Sequence, residues 1–287
     1  MERALDPRKH GYDLVLAPAD YPARDGPPAR SLIVCTQQRS GSTLLGESIY
    51  FAGGFGCPLE YLHLGFRPQF ERRWQTSGLR DYVSQLYRLR TSSSGTFAIK
   101  LFWRDLLDLA REYAPAEFGG LPRGSAATMA SGTQRRLFEI LSELFPNPRF
   151  VHLTRKDSVR QAVSFVVAGQ TNRWRKFSDR KRDDPEIEYV FGTILRMLAL
   201  IQKNDAHWLD FFRANDLPYY AIAYEGLAAD YEGTLRPFFA WLGRPDAPIV
   251  PPRLQVQSDE HTEALLERFT AEFRRRATRM TPDVTSS

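Results

Sequence analysis

The stretch Gln37-Gln38-Arg39-Ser40-Gly41-Ser42-Thr43 packs one cation, three hydroxyls and one glycine between two apolar segments. Residues of these types, in this order, suit the holding of an anion. The backbone N–H groups of a tight turn aim at one point, and a following helix adds partial positive charge at its N-terminus. Arg39, with the hydroxyls of Ser40, Ser42 and Thr43, adds further donors. A phosphate or phosphosulfate group fits such a cradle. The loop formula G-x-x-x-x-G-K-[ST] is absent, because the turn has one glycine and its cation is Arg39 rather than a lysine beside the hydroxyl; that argues against an ordinary ATPase or kinase.

Four other positions carry chemical potential. Glu60 and His63 lie in a glycine- and proline-punctuated loop, Gly53 to His63, one helix after the turn, and either is a candidate general base toward a hydroxyl. Lys100 sits inside an apolar run, from which it either reaches the site or extends along the edge of a strand. Arg155 follows another apolar run, with Ser164 nine residues on, and a guanidinium at a strand end forms a second anion site. The segment Arg173 to Arg182 interleaves cations with Trp174 and Phe177, but Asp183-Asp184-Pro185 follow at once. It is read as a solvated loop or a pocket rim rather than as a nucleic-acid surface.

Elements that position these groups alternate along the chain. Ser31 to Cys35 reads as a buried strand, followed by a helix carrying Leu44, Leu45, Ile49 and Phe51; the bland alternative to the anion cradle is a polar turn capped by Ser42 with a surface Arg39. Further strands are expected at Phe97–Trp103, Arg149–Thr154 and Tyr219–Tyr224. Helices are expected at Asp81–Leu89, Leu106–Tyr113, Leu137–Phe145, Leu235–Leu242 and Glu263–Arg276, with Asp157 or Ser158 capping one more. The longest helix spans about Glu186 to Phe212, with a core stripe of Ile187, Val190, Phe191, Ile194, Leu195, Leu198 and Ile201. This alternation implies an α/β fold with a mainly parallel central sheet flanked by helices, in which ligands bind at the carboxyl ends of the strands.

The chain has 287 residues, enough for one substantial core. A single domain over 30–278 is expected, with a proline-containing extension at 1–29, a lid or insertion at 115–131 and a frayed tail at 279–287. The net charge of +5 suits an anionic ligand without choosing one. Met1 to Arg30 lacks an apolar signal core and no run is long enough to span a bilayer, so the expected location is the cytoplasm. Cys35 and Cys57 lack metal-ligand spacing and read as structural.

Five motifs in register carry a resemblance. They are Gln38 to Leu45, Gly56-Cys57-Pro58-Leu59-Glu60-Tyr61, Lys100-Leu101-Phe102-Trp103, Arg155 with Gln161-Ala162-Val163-Ser164-Phe165, and Gln170-Thr171-Asn172-Arg173-Trp174-Arg175. Together with Tyr224 to Gly243 and the stretch from Gln257 through Asp259 to Phe269, this pattern resembles the mycobacterial trehalose 2-sulfotransferase family. Val256 and Thr262 depart from it, standing where the family has Arg and Ser.

The resemblance implies a P-loop-like sulfotransferase fold and a metal-free reaction with 3′-phosphoadenosine 5′-phosphosulfate (PAPS) as the donor. The acceptor would be a hydroxyl of a small molecule, a carbohydrate such as trehalose or a glycolipid precursor. By matching positions, Gln38, Arg39, Ser40, Gly41, Ser42 and Thr43 hold the phosphosulfate, Arg155 and Ser164 the 3′-phosphate, and Glu60 is the general base. His63, Lys100, Gln170 and Trp174 fall on the acceptor side. No nucleic acid or membrane span is implied, and a homodimer is compatible with the pattern. The alternatives are a nucleotide-dependent kinase, disfavoured because Arg155 stands where a magnesium-holding acid is needed, and a noncatalytic nucleotide- or nucleic-acid-binding protein.

Overall fold

The computed structural model describes residues 19–121, 129–172, 174, 187–252 and 260–280. Outside them lie much of the 1–29 extension, residues 122–128 of the lid segment and the Arg173–Arg182 patch apart from Trp174. Val256, Gln257, Asp259 and most of the tail also fall outside.

Four strands form one sheet: β1 (Arg30–Thr36), β2 (Thr96–Phe102), β3 (Pro148–Thr154) and β4 (Tyr219–Ala223). Their order is β2-β1-β3-β4 and every pairing is parallel, with Val34 opposite Lys100, Cys35 opposite His152 and Thr154 opposite Ala223. The fold is α/β with a parallel sheet flanked by helices, as the alternation of elements predicts. Period-two alternation divides the strands between two cores. Ile33, Cys35, Phe97, Ile99, Leu101 and Phe150 enter one apolar cluster, whereas Leu32, Val34, Ala98, Val151 and Leu153 enter the other.

The first cluster is completed by α3 (Leu79–Arg90), α4 (Trp103–Tyr113) and α6 (Ser131–Leu144), the second by α1 (Ser42–Ala52), α9 (Tyr224–Ala229) and α10 (Tyr231–Trp241). Two short helices, α2 (Arg67–Trp74) and α5 (Pro115–Phe118), were not legible as helices, nor was α9. Each is too short for apolar periodicity to register.

Contacts divide the chain into two compact units, Met1–Lys156 with Lys203–Pro252, and Asp157–Gln202 with Arg253–Ser287. The sheet and both clusters above belong to the first. Within the second, α7 (Ser158–Thr171), the first part of α8 (Phe191–Ala214) and α11 (Glu260–Met280) bury Val163, Val166, Ile194, Leu198 and Phe269 together. Asp157 caps α7 by accepting from Arg160 N at 2.8 Å.

Two sequence expectations need correction here. Helix α8 begins at Phe191, not at Glu186, because the side-chain amide of Gln170 takes both backbone groups of Glu188: its Oε1 accepts the N–H at 2.8 Å and its Nε2 donates to the carbonyl at 2.9 Å. In the expected core stripe, Val190 is 37% and Leu195 38% exposed, so only Ile194, Leu198 and Ile201 are fully interior. Among the described residues, no helix is long and apolar enough to cross a membrane.

Candidate active site

Strand β1 ends at Thr36, and the turn that follows is built from within. The Thr36 hydroxyl donates to Leu153 O of the neighbouring strand at 2.7 Å and lies 2.7 Å from Ser40 Oγ, which donates to Gln37 O at 2.7 Å. Ser40 is buried, so its hydroxyl shapes the turn. Gln37 is clasped by α8, donating to Asp205 at 3.0 Å and accepting from Asn204 at 3.0 Å.

The backbone then turns left-handed twice, at Arg39 (φ 64°) and Gly41 (φ 84°). Arg39 is not glycine, so this conformation carries a cost of about 1–3 kcal/mol of the kind concentrated at ligand clamps. Gly41 is required twice over: its φ suits glycine, and a Cβ there would lie 2.4 Å from Tyr224 Cδ2. Gly41 is the N-terminal cap of α1, and no side chain caps that end, against the alternative of a turn capped by Ser42. The first intrahelical bond is Leu45 N to Gly41 O, so the N–H groups of Ser42, Thr43 and Leu44 have no partner within the helix.

Strand order assembles the rest of this face. β1, β3 and β4 are consecutive, so the residues just past their carboxyl ends meet. Arg155 donates from Nη1 to Arg39 O at 3.2 Å and lies over the Tyr224 ring at 4.7 Å. Glu225 accepts the N–H of Lys156 at 3.1 Å, tying the ends of β3 and β4 together. Burial, and then the like charge of Arg155, push the Arg39 guanidinium down to about 10, which leaves it charged at neutral pH. Two cations that raise each other's energy in a partly buried place are stabilised by an anion between them.

A second group forms at the outer edge of β2. Gly56 (φ 84°) lets the 53–63 loop press against the strand, since a Cβ there would meet Ala98 N at 2.7 Å and Thr96 O at 2.9 Å. Leu59 bridges Ile99 in parallel and accepts the Lys100 N–H at 2.9 Å. From below, the fully buried Arg90 supports the loop, reaching Cys57 Sγ at 3.9 Å and pairing with Asp20 at 2.9 Å. Glu60 is thereby fixed beside Lys100, whose ammonium sits 3.0 Å from Glu60 Oε1. Lys100 has a 0% exposed side chain, so it does not extend to solvent along the strand edge. Parallel strands are spaced about 4.8 Å apart, so Lys100 lies one strand spacing from the lane of the Arg39 turn and the backbone of the Glu60 loop two, roughly 10 Å.

His63 is half-buried, and burial lowers its pKa despite the nearby Glu60. Its Nδ1 accepts from Gly65 N at 3.1 Å, which puts the proton of the neutral ring on Nε2. With its Nδ1 lone pair engaged, the neutral His63 ring presents a donor at Nε2.

Sequence reasoning missed Tyr224, the Asn204–Asp205 clasp and Asp105. Tyr224 had a signal, because it follows a strand end just as Arg155 does. Asp105 stands in the first turn of α4, immediately after the strand that carries Lys100, with 1% exposure and neither carboxyl oxygen hydrogen-bonded. Burial, then the charge of Glu60, push it up to about 8. The folded state therefore favours the protonated acid: the stability this provides is complete below about pH 4, the unfolded value, and is lost as pH rises toward 8. Asp105→Asn is expected to melt several degrees above the parent at pH 8 and to converge with it near pH 4. A difference in melting temperature independent of pH would contradict this.

In the second unit, Ser164 is buried in α7, and Gln170 is committed to Glu188 as described. Trp174 is 42% exposed, donates to Asn172 Oδ1 at 3.3 Å and meets Phe165 edge-on.

A parallel α/β sheet with an anion-type turn at the end of β1 defines a broad class of group-transfer proteins. Within it, the model of the Stf0 sulphotransferase family matches residues 31–272, so the chain belongs to that family and is a sulfotransferase. Trehalose 2-sulfotransferase of Mycobacterium tuberculosis (strain ATCC 35801 / TMC 107 / Erdman) is 28% identical, over 85% of this chain and 95% of that protein. The protein of the same name from Mycolicibacterium smegmatis is 26% identical over the same shares. Among solved structures, the sulfotransferase domain of the Synechococcus PCC 7002 olefin synthase aligns with 88% of this chain and 91% of that one, at 18% identity and a TM-score of 0.39.

Proposed function

We propose that this sulfotransferase moves the sulfuryl group of PAPS to a hydroxyl of a small carbohydrate, with Glu60 as general base. The observation that carries the donor reading is the convergence of Arg39 and Arg155, joined at 3.2 Å, on a turn whose shape requires Gly41. That donor set fits a ligand with anionic groups at two places. PAPS, when bound, supplies an electrophilic sulfur whose bond to the bridging oxygen breaks as the acceptor oxygen attaches.

In this reading Arg39 and the free N–H groups of Ser42 to Leu44 neutralise charge that grows on the leaving phosphate oxygen. Arg155 faces the 3′-phosphate. Glu60 removes the proton of the attacking hydroxyl, and Lys100 holds its carboxylate in place at 3.0 Å. The sugar acceptor is supported by both mycobacterial relatives, which are named trehalose 2-sulfotransferases. Incubation with labelled PAPS, first with trehalose and then with a metabolite extract, tests the whole: sulfate transfer undiminished by chelator is expected, and release of inorganic sulfate alone would contradict it.

Arg155 gives a sharper test of the donor. The protein is expected to bind 3′-phosphoadenosine 5′-phosphate well and adenosine 5′-monophosphate much more weakly, by about 1.5–3 kcal/mol for each charge-assisted contact to the 3′-phosphate. Arg155→Ala should weaken only the first. Equal calorimetric losses for both nucleotides would assign Arg155 to supporting the turn through Arg39 O instead.

A further inference from the structure

At the opposite end of the sheet, six residues back along β1 and so roughly 20 Å from the Arg39 turn, a cavity of about 230 Å³ opens between the strand starts. Arg30, Arg149 and Arg244 all line it. Two of them are held by aromatic faces: Arg149 lies 4.0 Å over Trp241 and donates to its carbonyl at 2.7 Å, and Arg244 lies 5.5 Å over Phe55, which is stacked on Phe239. None of the three forms an ion pair among the described residues. Burial and the charge of Arg30 lower the Arg149 pKa, as expected of cations brought together without an acid between them. Ser31, also in the lining, is fully buried and its hydroxyl has no hydrogen-bond partner.

We propose that this cavity is a second ligand site, distinct from the donor site, that takes a small phosphate monoester. The charge selects the ligand. Three guanidiniums would be under-compensated by a carboxylate or a sulfate ester, each carrying one negative charge, whereas a phosphate monoester carries about −1.5 to −2 at pH 7. The size selects it further, because clefts for drug-sized molecules run to about 300–1,000 Å³ and this one is smaller. The volume suits a phosphorylated sugar or polyol better than a nucleotide. Ser31 and Thr96 offer its hydroxyls polar partners, and Phe55 and Leu242 form the apolar wall.

Calorimetry with glucose 6-phosphate as probe tests this without assuming any donor. Glucose 6-phosphate is expected to bind, glucose 6-sulfate to bind about tenfold more weakly or worse, and glucose not at all. Arg30→Gln and Arg244→Gln, which alter residues at the surface, should each weaken the phosphate ester about tenfold or more with unchanged melting temperature. Arg155→Ala should leave it untouched. Absence of glucose 6-phosphate binding overturns the proposal. So does binding that is lost in Arg155→Ala and kept in the Arg30 and Arg244 variants, which would place the ester in the donor turn; that result would leave the donor reading standing.

Discussion

Glu60→Gln is expected to lower turnover by about 10²–10⁴-fold while donor affinity barely changes. The substitution keeps size and one hydrogen-bonding oxygen, so the Gly56–Tyr61 loop, pinned by its bridge to Ile99 and by Arg90, should not move. What is lost is the acceptor of a proton that forms only in the reaction, so the loss should fall on kcat. His63→Ala is the control. If it abolishes turnover with donor affinity intact while Glu60→Gln stays active, the base is His63 and the hydrogen bond from Gly65 N must break during turnover.

Arg39→Met is expected to lower kcat by about 10²–10³-fold, the usual loss when one preorganised donor to a developing oxyanion is removed. The same change should not destabilise the protein. Methionine faces the same left-handed backbone as arginine at this position, and removal of the charge relieves the repulsion with Arg155. The melting temperature should hold or rise as activity falls, a combination that a merely structural arginine would not give. Arg39→Lys should lie between, because an ammonium keeps the charge without the planar fork. Near-parental kcat in Arg39→Met would remove Arg39 from the leaving-group role.

The turn, the four strands and the identity of the two arginines were legible because each depends on neighbours in sequence. Apolar runs of five to seven residues mark strands fully covered on both faces, and Asp157 marks a helix start by its own hydrogen bond. Such signals are local, and local signals survive without knowledge of the fold. They failed where distant side chains overrule them, as Gln170 does when it binds the backbone of Glu188 and delays the start of α8.

Sequence by itself therefore determined the α/β class, the polar turn after the first strand, the strand ends that carry Arg39 and Arg155, and the family pattern. Tertiary structure alone decided that Lys100 points inward to Glu60, that Tyr224 closes over Gly41, that Asn204 and Asp205 clasp Gln37, and that Asp105 is buried as a neutral acid. The reason is the strand order β2-β1-β3-β4, which makes neighbours of residues as far apart in sequence as Gly41 and Tyr224. No spacing within a segment encodes that order; it follows from which apolar faces bury each other best, a property of the whole chain.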